Sequence, residues 1–141
     1  MIILGVDLGK ARTGLALCDK GELLALPLCV LREHNRERLV EAIAAKAREA
    51  GAQLLAVGLP RNMDGTEGES ARNAREIGAL LEESTGLPVE FVDERGTTIT
   101  AHGYLNDTNT RGKKRKAVVD AVAATVILEN FLEKRRMENR G

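Results

Sequence analysis

Apolar residues along the chain change their spacing several times, and each change predicts an element. Ile2 to Val6 form an unbroken apolar run that reaches a carboxylate at Asp7 and a glycine at Gly9, the pattern of a strand buried on both faces. The polar segment KARTG, ending in Gly14, and the turn residues Asp19 to Gly21 separate it from two further apolar runs, LALCD and Leu23 to Leu31. Turns this short leave no room for a crossover helix, so the three runs predict an antiparallel meander. Pro27 cannot donate to a ladder, which puts the third strand at a sheet edge. Helical spacing begins after Asn35, an N-cap residue, with Leu39, Ile43 and Ala47 on one stripe and Gly51 as the stop.

Gln53 to Leu59 returns to a buried strand and runs out at Pro60. The loop PRNMDGTEG follows, and the spacing of Thr66 and Glu69 predicts a capping box for a helix reaching Ser84, closed by Gly86 and Pro88. A strand from Val89 to Val92 ends in Asp93 and Glu94. TTITAHGYL predicts the start of a short helix, and residues 106–116 are polar, aperiodic and read as an exposed loop. The last helix is expected from Ala117 to Lys134, with Val119, Val122, Ala123, Val126, Ile127 and Phe131 at helical spacing, and Asp120 falls on its packed side. The predicted fold is therefore α/β. It is a mixed five-stranded sheet, three antiparallel N-terminal strands and then two parallel ones, with helices on both faces, over a domain of residues 1–134 and a charged, fraying tail of 135–141.

Composition narrows the picture. The 141 residues are 43% hydrophobic and 30% charged, which fits one globular domain with a real core. No apolar stretch approaches the roughly 18 to 20 residues of a membrane span, and the first residues lack the pattern of a signal peptide, so a cytoplasmic location is expected. Cys18 and Cys29 lie inside apolar runs without CxxC spacing, as reduced core residues. Formal net charge is zero, so the whole-molecule field does not announce a nucleic-acid partner. Aromatics are 2% of the chain, leaving little for bases to stack on.

Three acidic features occupy matched places. Asp7 closes the first strand, Asp93 and Glu94 close the last, and Asp120 opens the final helix. Burying an ionised carboxylate costs several kcal/mol unless it is paired. Asp7 reads either as a metal ligand or as an acceptor for the turn that follows it, Asp120 as a ligand or as a macrodipole partner, and the Asp93–Glu94 pair as ligands or as partners of Arg95. If the first and last strands run parallel with at most one strand between them, the acids converge. Carboxylates so close repel unless protonated or bridged by a cation, and oxygen ligands suit Mg²⁺ or Mn²⁺. Lys10 and Arg12 could hold flanking phosphates or simply be solvated. Arg61, Asn62 and Asp64 lie in the loop beside the same strand ends. Lys113, Lys114, Arg115 and Lys116 form the densest basic cluster, suited to sequence-independent backbone contact. His102 is assigned no role.

The segments GVDLGKARTGLALCD, VGLPRNMDGTEG, VDERGTT and KAVVDAVAATVILENFL resemble, in order and spacing, the motifs of the YqgF/RuvX family. That family is described as Holliday-junction resolvases and as pre-16S rRNA nucleases. One departure is Gly96, where the family usually carries a bulkier apolar residue. The resemblance implies a ribonuclease-H-like fold and a divalent-metal site. Its acids fall on Asp7, on the Asp93–Glu94 pair and on Asp120, with Glu94 favoured as the metal-facing member. The function so implied is metal-dependent hydrolysis of phosphodiester bonds in pre-16S rRNA processing and ribosome biogenesis. Junction resolution, a non-catalytic nucleic-acid-binding module and an actin-like ATPase stand as alternatives, the last needing a second lobe that this length does not supply. The expected partner is structured RNA or branched DNA, and the chain is expected to be a monomer or homodimer.

Overall fold

The structure, a computed structural model, describes residues 1–9, 11–93 and 112–140, with the backbone alone for 112–121, 139 and 140. Its elements are β1 (Ile3–Leu8), β2 (Thr13–Cys18), β3 (Ala25–Leu31), α1 (Arg36–Ala50), β4 (Leu54–Leu59), α2 (Glu69–Thr85), β5 (Val89–Asp93) and α3 (Gly112–Arg140). The five strands are ordered β3-β2-β1-β4-β5. β1–β2 and β2–β3 pair antiparallel, while β1–β4 and β4–β5 pair parallel, as the apolar pattern predicts. Pro27 indeed lies on an edge strand, beside a register shift between Leu15 and Ala16.

Alternation along each strand sorts side chains to two faces. Leu4, Val6, Leu15, Leu55 and Val57 pack with Leu39, Val40, Ile43 and Ala47 of α1 and with Ile77 and Leu81 of α2. Ile3, Ala16, Cys18, Ala25, Leu54 and Ala56 pack instead with Ala124, Leu128, Phe131 and Leu132 of α3. Burying each of these large side chains contributes about 1.5–3 kcal/mol. Helices thus cover both faces, and β1 and β4 are buried from both sides beneath them.

Local signals explain where most elements begin and end. Asn35 accepts from the Arg38 amide at 3.0 Å and Gly51 closes α1 with a left-handed φ of 71°, as the sequence predicts. The Thr66–Glu69 capping box does not form. Gly68 is the N-cap of α2, without a side-chain cap, because the Thr66 hydroxyl donates to Asp64 at 2.6 Å and accepts from Asn62 at 2.8 Å. The basic run is not a loop: α3 starts at Gly112 and carries Lys113–Lys116 in its first turns. Lys and Arg are good helix formers, so a helix nucleated by its packed segment extends through them. The predicted short helix over TTITAHGYL lies outside the described residues.

At the other end, α3 continues beyond Lys134 to Arg140. Arg135 donates through Nε and Nη2 to both carboxylate oxygens of Glu22, and the Met1 ammonium adds a contact at 3.0 Å. The hydrogen bonds from Arg135 hold the Glu22 carboxyl below its ordinary value of 4.5. A depressed carboxylate contributes stability that is present above its unfolded pKa and lost as pH falls through the folded one. Wild-type melting temperature is therefore expected to fall more steeply than that of Glu22→Gln as pH drops below about 4.5, and parallel melting curves from pH 6 to about 3 would remove this ion pair from the account of stability.

Candidate nucleic-acid and metal site

Asp7 is the fifth residue of β1 and half-buried. Strand alternation puts it on the same face as Ile3 and Gly5, the face covered by α3. Its partner across the ladder on β2 is Gly14. On the other side Val6 pairs with Val57, so the next residue of β4 is Gly58. Glycines on both neighbouring strands mean that no strand side chain fills the space beside the carboxylate. Just past β1 the chain turns tightly: the Gly9 amide donates to the Arg12 carbonyl at 2.9 Å, and a methyl group at Gly9 would run into that oxygen.

Two anchors set the course of α3 across this face. Arg135 meets Glu22 beside the start of β1, and Ala124 and Leu128 lie against Gly5 at its middle. The N-terminal half of the helix therefore heads toward the carboxyl end of β1. One helical turn from Ala124 to position 120 is about 6 Å, and two strand residues from Gly5 to Asp7 are about 6.6 Å. The backbone of position 120 therefore lies from the Gly5 contact toward the Asp7 end of β1; the Asp120 side chain lies outside the described residues.

Asp93 ends β5 opposite Leu59. Val89 and Phe91 pack on the α1–α2 side and Val92 on the α3 side, so alternation turns Asp93 to the α2 side, away from Asp7. There its Oδ2 stands 3.9 Å from Arg61 Nη1. Glu94 and Lys10 lie outside the described residues, as do the side chains of Lys113, Lys114, Arg115 and Lys116. Among the described residues no three His, Cys, Asp or Glu side chains group to hold a metal ion. Arg12 is half-buried in the turn after β1.

Arg61 belongs to a network that sequence reasoning does not anticipate. Its Nη2 lies 3.5 Å from Glu67 Oε2, and Arg75 donates to both Glu67 oxygens at 2.7 and 2.8 Å while its guanidinium sits 5.2 Å over the Phe91 ring. Hydrogen bonds from Arg75, reinforced by the charges of Arg75 and Arg61, keep the Glu67 carboxyl below its ordinary value and ionised at neutral pH. Arg61 and Glu67 also form a backbone bridge. Between them the Asn62 amide donates to Thr66 O at 2.9 Å and the Gly65 amide to Asn62 O at 2.8 Å, with Gly65 at φ 89°. This is a small hairpin whose glycine takes the left-handed position. The one available signal is the NMDG turn flanked by opposite charges. On the far face of the β1 end, a polar pocket of about 210 Å³ includes His34 and Arg36. Arg36 is committed there to Asn73 at 2.7 Å and Glu76 at 2.9 Å, tying α1 to α2.

A strand-end acid between two glycines, under a helix aimed at it, invites comparison with known proteins. The family model described as RuvX, Holliday junction resolvase, matches residues 1–134. The chain belongs to the RuvX family. A protein of Anaeromyxobacter sp. named "Putative pre-16S rRNA nuclease" is 46% identical over 135 residues, covering 96% of this chain and 98% of its own. A Clostridium botulinum protein of the same name is 40% identical over 134 residues, covering 95% and 98%. Among solved structures, Thermus thermophilus RuvC aligns with a TM-score of 0.54 at 18% identity over 96% of both chains. A Fowlpox virus resolvase solved with Holliday junction DNA aligns at 0.56 and 14% identity over 95% of this chain and 98% of its own. These two likenesses confirm the ribonuclease-H-like fold of the RuvX chain. No helix among its described residues is long and apolar enough to cross a membrane.

Proposed function

We propose that this RuvX-family chain is a divalent-metal-dependent nuclease that hydrolyses phosphodiester bonds in precursor 16S rRNA. The observation that supports the reading is the packing of α3 on Gly5, which runs the helix carrying Asp120 over the face of the sheet that Asp7 shares. Gly14 and Gly58 put no strand side chain beside Asp7, and carboxylate oxygens are the donors that Mg²⁺ or Mn²⁺ takes. Asp7, Glu94 and Asp120 are assigned as ligands. Asp93 turns toward Arg61 on the other face, which favours Glu94 over its neighbour. When bound, such ions supply an activated water and charge neutralisation at the scissile phosphate. The chain's own part is to hold the carboxylates ionised and converging, while Lys10, Arg12 and the Lys113–Lys116 segment bind flanking phosphates. Arg61, held by Glu67 and Asp93, fixes the hairpin at the end of β4.

Precursor rRNA is preferred as substrate because that is what relatives at 46% and 40% identity are named for. A four-way DNA junction is the second reading, favoured by the description of the family model. The test incubates the chain with precursor 16S rRNA ends and with a junction, in Mg²⁺, in Mn²⁺ and in EDTA. Cleavage of the rRNA that EDTA abolishes is expected. Cleavage of the junction alone would move the substrate to DNA, and cleavage of neither in either metal would overturn the nuclease reading.

A further inference from the structure

We propose that the exposed leucines of β3 and of the turn before it form a self-complementary face on which a second copy of this chain packs, giving a twofold dimer. β3 is one edge of the sheet. Leu23, Leu24, Leu26 and Leu28 are 75%, 57%, 55% and 40% exposed, and extended chain puts them within roughly 17 Å of one another. Edge strands are ordinarily guarded by charged side chains, whereas Leu23 to Leu31 carries none. The four leucines expose roughly 400 Å² between them, most of the apolar share of the ~800 Å² that one partner brings to a stable interface.

The face is built before a partner arrives. Asp19 Oδ1 accepts the Leu23 and Leu24 amides at 2.8 and 3.0 Å, and the Glu22 amide donates to the Asp19 carbonyl at 3.0 Å. The leucines of this turn therefore lose little backbone freedom on contact. Beside them a groove of about 370 Å³ runs between Leu23–Ala25 and α3, with buried Leu132 as its floor. Projecting leucines and a groove thus share one face, as an isologous contact requires. On the α3 wall Glu129 and Glu133 outnumber Arg136, which turns phosphates away, while the leucines of a second copy bring no charge to it. Side chains make the contact, and the sheet is not extended. Pro27 in mid-strand has no N–H to give, and β3 is already irregular opposite Leu15 and Ala16.

The oligomeric state of wild type, Leu24→Lys and Leu26→Lys is measured by sedimentation equilibrium from about 1 to about 200 µM. Wild type is expected to dimerise with a Kd of about 10 µM or tighter, and each lysine to raise that Kd about thirtyfold or more. Because both leucines are exposed, the variants should keep the far-ultraviolet circular dichroism of wild type. Wild-type melting temperature should rise with protein concentration, and that of the variants should not. A wild type monomeric throughout the range, or variants that dimerise as tightly as wild type, would overturn the proposal. So would a β3 edge protected from hydrogen exchange only when precursor rRNA, a four-way junction or anionic lipid vesicles are added.

Discussion

Asp7→Asn is expected to lower metal-dependent cleavage by about a thousandfold or more while leaving the fold in place. Asn keeps the size and shape of the side chain at this half-buried position, between Gly14 on β2 and Gly58 on β4. What it removes is the negative charge, and a neutral amide is a poor ligand for a hard divalent ion. The loss should therefore appear in two independent readouts. Saturating Mg²⁺ at about one hundred times its Kd stabilises a binding-competent fold by roughly 2.7 kcal/mol, so the wild-type melting temperature should rise with Mg²⁺ and that of Asp7→Asn should not. Far-ultraviolet circular dichroism should be the same for both. Undiminished cleavage by a folded Asp7→Asn protein would show that the carboxylate serves the turn after β1 and nothing else.

The second large effect is expected from a residue with no chemistry of its own. A Cβ at Gly5 would stand 2.9 Å from Leu128 Cβ and 3.2 Å from the Ala124 carbonyl oxygen. These atoms belong to the helix itself and not to a flexible side-chain end, so in Gly5→Ala the whole of α3 must move off the sheet. Overpacking of this kind costs about 1–3 kcal/mol, which lowers the melting temperature of a chain of this size by roughly 3–10 °C. The site should suffer more than the fold. Displacing α3 moves the backbone at position 120 away from Asp7, and a misplacement near 1 Å costs about a hundredfold in rate. Activity measured well below the melting transition separates the two effects. A Gly5→Ala protein with wild-type stability and rate would mean that α3 does not set the spacing of the acids.

Strands β1 and β4 were legible because burial on both faces leaves only apolar residues, and α1 because Asn35 and Gly51 are local signals that act without help from distant chain. The Thr66–Glu69 box failed through a competition that spacing cannot display. The Thr66 hydroxyl donates to Asp64 two residues before it, inside the hairpin, and α2 is left without a side-chain cap. The basic run misread as a loop shows a similar limit. Polarity reports what a segment does not bury, whereas Lys and Arg continue any helix that packing elsewhere has started. Glu67 carried no role in the sequence because its partners, Arg61 and Arg75, meet it only once the hairpin closes on α2.

By itself the sequence determined the alternation of strands and helices, the edge position of β3 and the set of acids worth testing. Those properties depend on residue type and on near neighbours, through burial, missing donors and caps. Only the tertiary structure decided which faces Asp7 and Asp93 serve. Asp93 turns toward Arg61 because the register of β5 on β4 fixes the parity of its side chains. The helix carrying Asp120 runs over the face of Asp7 because Gly5, more than a hundred residues earlier in the chain, lets it lie against the sheet. Parity and close approach are relations between distant segments, and no local pattern encodes them.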